Sequence, residues 1–551
     1  MIDHSLRISN AQGGGPSAGA PIWSRDFLQP LAPGALTPFS ASVLHEMAGR
    51  SWYNYYDRLG FDPTPKARVV RSVHGRPYFT LTLSAQLDAQ MAGIEPPALR
   101  IGGTVRPLAR WEKPGLLAGL KLGPNARKAS AALQALDREI DAAIPQSQAW
   151  LRRVQAMRWS QAEILQIMEE IERVGAATLQ LYVVARHNLE AAYLRLLGLV
   201  ERGSPVQALA ALTAAIRPVG DLVELQIARA VAGLAQAAQT SSGVLQFLAA
   251  EDYAAWEAQL VESPFKGGLR ELLAAHGHRC AGEGELSTPR WAEDPAPILA
   301  AVAAAHHTGA ALPAPAGPDE SPYLNMLDAK RRKEAQALLA QVRQCLELQS
   351  RALHVHAYTL AGTRIWALAA GREAMTDKRL LEEGDVFFYE LEEMKQMMTG
   401  EWNISDMDNI HTTAVQRKRD YAIWQGAAAG DLLVGDSEAF ADIPAGAAGL
   451  PGANGSGRGP VVAAVNPAGR AKVDAGKVIL AGVQVDAGWA AAMPVCAGIV
   501  QAQGSPLDPV VVTAGALQIP VLINLGDRLA AIVAQGGAAI DGSQGTITNG
   551  R

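Results

Sequence analysis

The chain has 551 residues, 49% of them hydrophobic and 19% charged, enough for three or four domains or one very large helical body and too apolar for disorder over most of its length. A formal net charge of −5 excludes nucleic acid or an anionic membrane as the main partner. The three cysteines (Cys280, Cys345, Cys496) are far apart and form no CxxC, which excludes a disulfide scaffold and a cysteine-based zinc site and fits a reducing compartment.

Residues 1–20 are rich in glycine, serine and alanine and read as a flexible N-terminus without the basic and apolar regions of a signal peptide. Turn signals at Pro33-Gly34 and Gly75-Arg76-Pro77 precede Tyr78–Leu83, whose composition predicts a strand. Helices dominate from Lys128 to Gln425. Ser160-Gln161-Ala162-Glu163 is a capping box, and Ile164, Leu165, Met168 and Ile171 follow it at helical spacing. A second long helix is predicted from Leu327 to Ala370, with no proline inside it. Apolar runs such as Ile298–Ala305 fall well short of the roughly 20 residues of a membrane span, so a cytoplasmic protein with no span is expected.

The composition then breaks. A Gly/Ala/Pro-rich stretch over 431–460 reads as a linker. Beyond it, short apolar runs at Lys477–Leu480, Ala497–Val500, Pro520–Ile523, Ala538–Ile540 and Gly545–Ile547 predict strands separated by glycines. Pro460–Val465 reads as a buried strand, or alternatively as a docking element. The expected fold class is α+β, with a large, mainly helical domain over 21–430 and a small β-rich lobe over 461–551.

The densest polar stretch is Gly277–Trp291, GHRCAGEGELSTPRW. Its glycines permit tight turns, Arg279 and Arg290 offer planar forks for phosphate or carboxylate oxygens, and His278 and Glu283 can carry protons. A surface loop braced by Arg–Glu pairs would have the same composition.

This stretch resembles the GHRGPGE…PRW signature of the phosphoenolpyruvate-synthase-like and rifampicin-phosphotransferase-like enzymes. Three other segments resemble the same family in the same order. Ile22–Arg25 with Pro33–Pro38 resembles its WSR…PGPLTP segment, which brings in Arg25. Gly384–Tyr389 resembles DVFYL. Val485–Trp489 with Gln518–Pro520 resembles the TDPGW and GIP of the mobile phosphohistidine domain. The likeness is greatest to members that phosphorylate hydroxylated organic molecules, such as phenylphosphate synthase subunits. It implies an acceptor-binding helical body and a swivelling C-terminal domain. In such relatives an ATP-grasp part loads a histidine on the swivelling domain.

Two departures bear on what this chain can do. No part resembles the ATP-grasp region and no GxxxxGKS/T loop is present, so a homologous or ATP-grasp partner subunit is expected to handle any ATP. The family carrier histidine stands eleven residues before the proline of GIP. That position is Pro509 here, and none of the eleven histidines lies after His411. The lobe is thus expected to be a degenerate phosphohistidine domain. A smaller departure is Leu346-Glu347 where relatives carry Arg-Glu, which keeps Glu347 as a candidate acid or base or as a solvated helix residue.

Three readings follow. In the first, the chain binds a phosphorylated hydrophobic alcohol, for example steroid-like, and eliminates phosphate as an ATP-independent lyase. Arg25, Arg279 and Arg290 would bind phosphate. Asp508, at the tip that relatives insert into the acceptor site, would act with His278, Glu283 or Glu347 on protons. As a plain turn former, Asp508 in Leu-Asp-Pro needs no such role. In the second reading the chain is the acceptor-binding subunit of an ATP-dependent phosphotransferase. In the third it is a non-catalytic structural subunit. No cofactor is assigned, and magnesium would enter only with a phosphotransferase partner. The pairs His276/His278, His306/His307 and His354/His356 lack a third ligand, and His354 and His356 would point roughly 200° apart on a helix, so no metal site is expected.

Overall fold

The computed structural model describes residues 20–60, 67–92, 95–96, 98–101, 104–109, 111, 115–200, 204–309, 312–400, 407–427, 429–439, 447–464 and 477–550. Residues 1–19 of the expected N-terminal tail lie outside them. The fold is α+β, with a helical body and a strand-rich C-terminal region, as composition and periodicity indicated. Among the described residues no helix is long and apolar enough to cross a membrane.

The body is organised by the helix Ala329–Thr376, which packs along Gln161–Leu199 and Leu116–Gln155. Asp328 starts it by accepting a 2.9 Å hydrogen bond from the Arg331 amide. Its central turns are apolar on nearly every side, which is how a helix surrounded by other helices reads. Gly362 is required there because a Cβ would meet the Trp150 ring at 2.2 Å. The Ser160/Glu163 capping box opens Gln161–Leu199 as its sequence signature indicated.

His354 and His356 do face opposite ways. His354 packs on His278 and Tyr358. His356 is fully buried against the other helix, with Nδ1 2.9 Å from Thr178 Oγ1. Burial pushes the His356 imidazole from 6.5 down to about 3. The folded protein therefore keeps this ring neutral, while the unfolded chain protonates it below 6.5. Its contribution to stability is full above 6.5 and is lost as pH falls toward 3. Wild type is expected to lose about 1.4 kcal/mol per pH unit below 6.5 from this group, and His356→Leu to lose that slope, in urea unfolding from pH 7 to 4. An unchanged slope in the variant would disprove the assignment.

Two sheets flank this body. Strands β1 (Ile22–Ser24), β2 (Val70–Val73) and β3 (Arg76–Thr80) lie near its start, and β4 (Ala98–Ile101) and β5 (Thr104–Pro107) form a separate hairpin. The strand predicted over 78–83 ends at Thr80, whose side chain accepts from the Leu83 amide and opens the helix Leu81–Ala92. The segment placed by sequence in a linker is largely ordered strand. β6 (Leu432–Val434) and β7 (Ser437–Ala439) form a hairpin that pairs antiparallel with β1, giving the order β2-β3-β1-β6-β7. Residues 440–446 lie outside the described residues. β8 (Leu450–Ala453) and β9 (Ser456–Ala463) already belong to the C-terminal sheet. Backbone pairing outweighs glycine content here, because β6, β8 and β9 find partners far away in sequence and β7 pairs with β6.

That second sheet is completed by β10 (Val478–Gly482), β11 (Cys496–Gln501), β12 (Val521–Ile523), β13 (Gly537–Asp541) and β14 (Thr546–Asn549), in the order β14-β13-β9-β10-β11-β12-β8. The five apolar runs read from the sequence correspond to β10 through β14. β9, expected to be buried, is half exposed along its length. β9, β10, β11 and β12 run parallel. Parallel neighbours need crossovers, and the helix Pro509–Ala516 supplies the one between β11 and β12. The loops after β10 and β11 therefore leave the carboxyl edge of a parallel sheet, the edge at which such folds place functional groups. Asp486 lies in the first loop and Asp508 in the second.

Candidate active site

The charges of the 277–291 loop are paired within it and with Glu224 from the helix Val223–Ala238, though Arg279 Nη2 and Arg290 Nε make no hydrogen bond among the described residues. Arg279 is fully buried between Glu283 and Glu224, with Nη1 3.3 Å from Glu224 Oε1 and Nε on Glu283. Ser350 Oγ donates to the second Glu224 oxygen at 2.5 Å. Burial alone would lower the Arg279 guanidinium, but the Glu283 and Glu224 carboxylates outweigh it and hold it above its ordinary value. Arg290 donates to the Glu283 carbonyl at 3.0 Å and to Cys280 Sγ at 2.5 Å. Glu285 ties the loop to the Thr37-Pro38 segment, accepting from the Thr37 amide at 2.7 Å and from Ser40 Oγ at 2.9 Å. Gly284 is needed because a Cβ would lie 2.6 Å from the Leu31 carbonyl oxygen.

His278 stacks on Tyr358 at 3.6 Å between ring centroids. Burial, with the His354 ring beside it, drives its proton affinity well below the ordinary imidazole range. Glu347 lies elsewhere, accepting from the amides of Val219 at 3.2 Å and Gly220 at 2.6 Å in an exposed turn. Among the described residues no group of three or more His, Cys, Asp or Glu is placed to hold a metal ion.

The C-terminal lobe docks on this loop through the segment after β10, and on Arg25 and the long helix through the segment after β11. Asp486 accepts from the Gly282 amide of the body at 3.0 Å and from Gly488 at 2.7 Å. Burial pushes its carboxyl up to about 7, and the Glu283 charge adds to that, against the pull of the two amides. Gly488 lies so close that a Cβ would meet Ala281 Cα and the Cys280 carbonyl, both at 2.4 Å. Gly488→Val is therefore expected to prevent seating of the lobe. Hydrogen exchange should rise at 277–291 while β10 to β12 stay protected, and unchanged exchange in the loop would show that the contact is dispensable.

Further along the interface, Arg25 Nη1 donates to Gln503 Oε1 at 2.5 Å and Nη2 to the Pro33 carbonyl at 2.8 Å. Gln503 in turn donates to the Ala429 carbonyl at 2.7 Å. Gln349 of the long helix donates to the Leu507 carbonyl at 2.8 Å and accepts from Arg186 at 3.2 Å. Arg186 is fully buried and also binds Asp26 at 2.9 Å and Glu190 at 2.6 Å.

Asp508 stands beside this cluster as the cap of Pro509–Ala516. One of its oxygens accepts from the Ser505 amide at 2.8 Å. The other makes no hydrogen bond among the described residues, although the side chain is buried. Burial first, and the Asp26 charge second, push its carboxyl up to about 7, while Arg186 pulls it down. A carboxyl held there can give or take a proton at neutral pH.

The seven sequence candidates thus separate. Arg279, Arg290 and Glu283 form one buried network and His278 packs next to it. Asp508 and Arg25 lie along the lobe interface, and Glu347 caps a turn. Adjacent residues of the long helix link the groups, since Gln349 faces Arg186 and Ser350 faces Glu224. Asp26, Arg186 and Gln349 escaped the sequence reading. A usable signal existed for Arg186, a charged residue on the apolar stripe Leu179, Tyr182, Val183 and Leu189.

Residues 181–370 match the rifampicin phosphotransferase fourth domain. Residues 475–545 match the mobile domain of PEP-utilising enzymes. No curated protein matches the sequence. The first region carries Arg186, the 277–291 loop and Gln349, and the second carries Asp486 and Asp508, so the cluster lies where the two matched regions meet. Over these two regions the chain is thus similar to enzymes of the PEP-utilising, phosphotransferase-like family.

Proposed function

We propose that this chain is a phosphotransferase relative that has lost histidine transfer and eliminates phosphate from a phosphorylated hydrophobic alcohol without ATP. The observation that carries the reading is Asp508. Its carboxyl, pushed up to about 7, occupies the carboxyl-edge loop of β11 immediately before Pro509, the position that matches the family histidine. Proline has no nucleophilic side chain, so a phosphoryl group has no acceptor atom there.

A proton-transferring carboxyl suits a phosphate ester. Arg25, on the same interface, would stabilise the departing phosphate, and Asp508 takes the proton from the adjacent carbon. Aliphatic and above all tertiary alcohols fit, because their phosphates can leave with formation of an alkene, whereas a phenyl phosphate has no such route. A steroid-like alcohol agrees with a body rich in leucine, alanine and tryptophan.

The test is phosphate release by the purified chain from a phosphorylated tertiary alcohol in the absence of ATP. Release that requires ATP and a second protein would replace this reading with that of an acceptor-binding subunit. Absence of release under both conditions would leave a structural role.

A further inference from the structure

The side chains around Asp508 come from four segments. The turn after β1 supplies Asp26. The helix Gln161–Leu199 supplies Tyr182, Arg186 and Glu190. The long helix supplies Gln349, and the lobe supplies the Ser505 amide and Asp508 itself. Three carboxyl groups thus share the neighbourhood of the Arg186 guanidinium. Its direct ion pairs go to Asp26 and Glu190, at 2.9 and 2.6 Å, and its third donor contact goes to the neutral Gln349. Among the described residues Asp508 receives a hydrogen bond only from a backbone amide.

Arg186 is shared between Asp26 and the partly exposed Glu190, which also has His187 beside it, so the buried Asp508, without a direct ion pair among the described residues, is the carboxyl that keeps a proton. Gln349 fixes the arrangement, since it binds Arg186 through its oxygen and the Leu507 carbonyl through its nitrogen. Tyr182 adds no charge, because burial raises its phenol and its hydroxyl donates to the Phe27 carbonyl at 2.6 Å.

We propose that Asp26 is a positioning residue for Asp508: by occupying Arg186 and presenting its own negative charge to the lobe, it keeps a proton on Asp508. This rests on the lyase reading above and gives it a direction. Asp508 acts first as acid and then as base. The C–O bond of the ester breaks with its electron pair going to the bridging oxygen, which takes the Asp508 proton. The resulting Asp508 carboxylate removes a proton from the adjacent carbon, and that C–H pair becomes the double bond. Alkene and inorganic phosphate form, and Asp508 regains its proton without a co-reactant.

The protonation state is measurable without substrate. Difference infrared spectra of the full chain against Asp508→Asn isolate the Asp508 carboxyl stretch, which is then titrated. In wild type the midpoint is expected in the neutral range. Asp26→Asn should lower it by roughly one to two pH units, and Asp26→Glu, which restores the charge, should return it. Should Asp26→Asn not fold, Asp26→Ser is read in the same way. A wild-type midpoint in the ordinary carboxylate range overturns the proposal without any variant, as does a midpoint unmoved by loss of the Asp26 charge. The two ideas fail separately. Phosphate release by Asp508→Asn at the wild-type rate sinks the lyase reading and leaves the titration standing, whereas an unmoved midpoint sinks only the role of Asp26.

Discussion

Replacing Arg279 by alanine is expected to destabilise the protein by about 3–5 kcal/mol, read as a shift of the urea midpoint with little change in slope. The reason is the pair of carboxylates that the guanidinium separates. Glu224 and Glu283 are both buried, and without Arg279 each would lie in a low-dielectric site without its cation. Ser350 would still donate to Glu224, but a hydroxyl cannot replace a full positive charge. Glu224→Gln should cost less, since Arg279 keeps Glu283. A loss under 1 kcal/mol for Arg279→Ala would mean that water reaches these carboxylates. This outcome bears on function too, because a fall in activity of that variant would report a collapsed loop and not a missing phosphate ligand.

Asp508→Asn has the opposite signature. Phosphate release is expected to fall by about 10²- to 10⁴-fold, the usual contribution of an acid or base, with the fold intact. Asparagine has the same shape and can still accept from the Ser505 amide through its oxygen. Stability should move the other way. The folded carboxyl is raised from 3.8 to about 7, so its contribution is full below 3.8 and is lost as pH rises through 7. The variant should therefore gain on wild type in urea unfolding between pH 5 and 8. Activity lost while stability is gained marks a residue kept for chemistry. A variant that is both inactive and less stable at pH 8 would instead make Asp508 a structural cap.

Part of this could be read directly from the residues. The long helices announced themselves through the Ser160 capping box, the apolar spacing and the proline-free stretch after Leu327, because helix signals are local. The strands from β10 to β14 were visible for the same reason, as short apolar runs between glycines. The linker expectation failed at 432–439 and 450–463, since strands there are stabilised by partners up to about four hundred residues away, such as Leu432 opposite Ser24.

By itself the sequence determined the fold class, the family likeness and one negative fact, that no histidine follows His411. The seven polar candidates were chemically alike at that level: arginines, carboxylates and a histidine, each able to serve a site or brace a loop. Only the tertiary structure decided between those uses. It paired Arg279 with Glu224 from a distant helix, turned Glu347 of the long helix onto the exposed turn at Val219-Gly220, and left Asp508 beside Asp26 and Arg186. The physical reason is that burial and neighbouring charge, which fix whether a carboxyl is ionised, depend on segments far apart in sequence: 22–29, 182–190, 349 and 503–508.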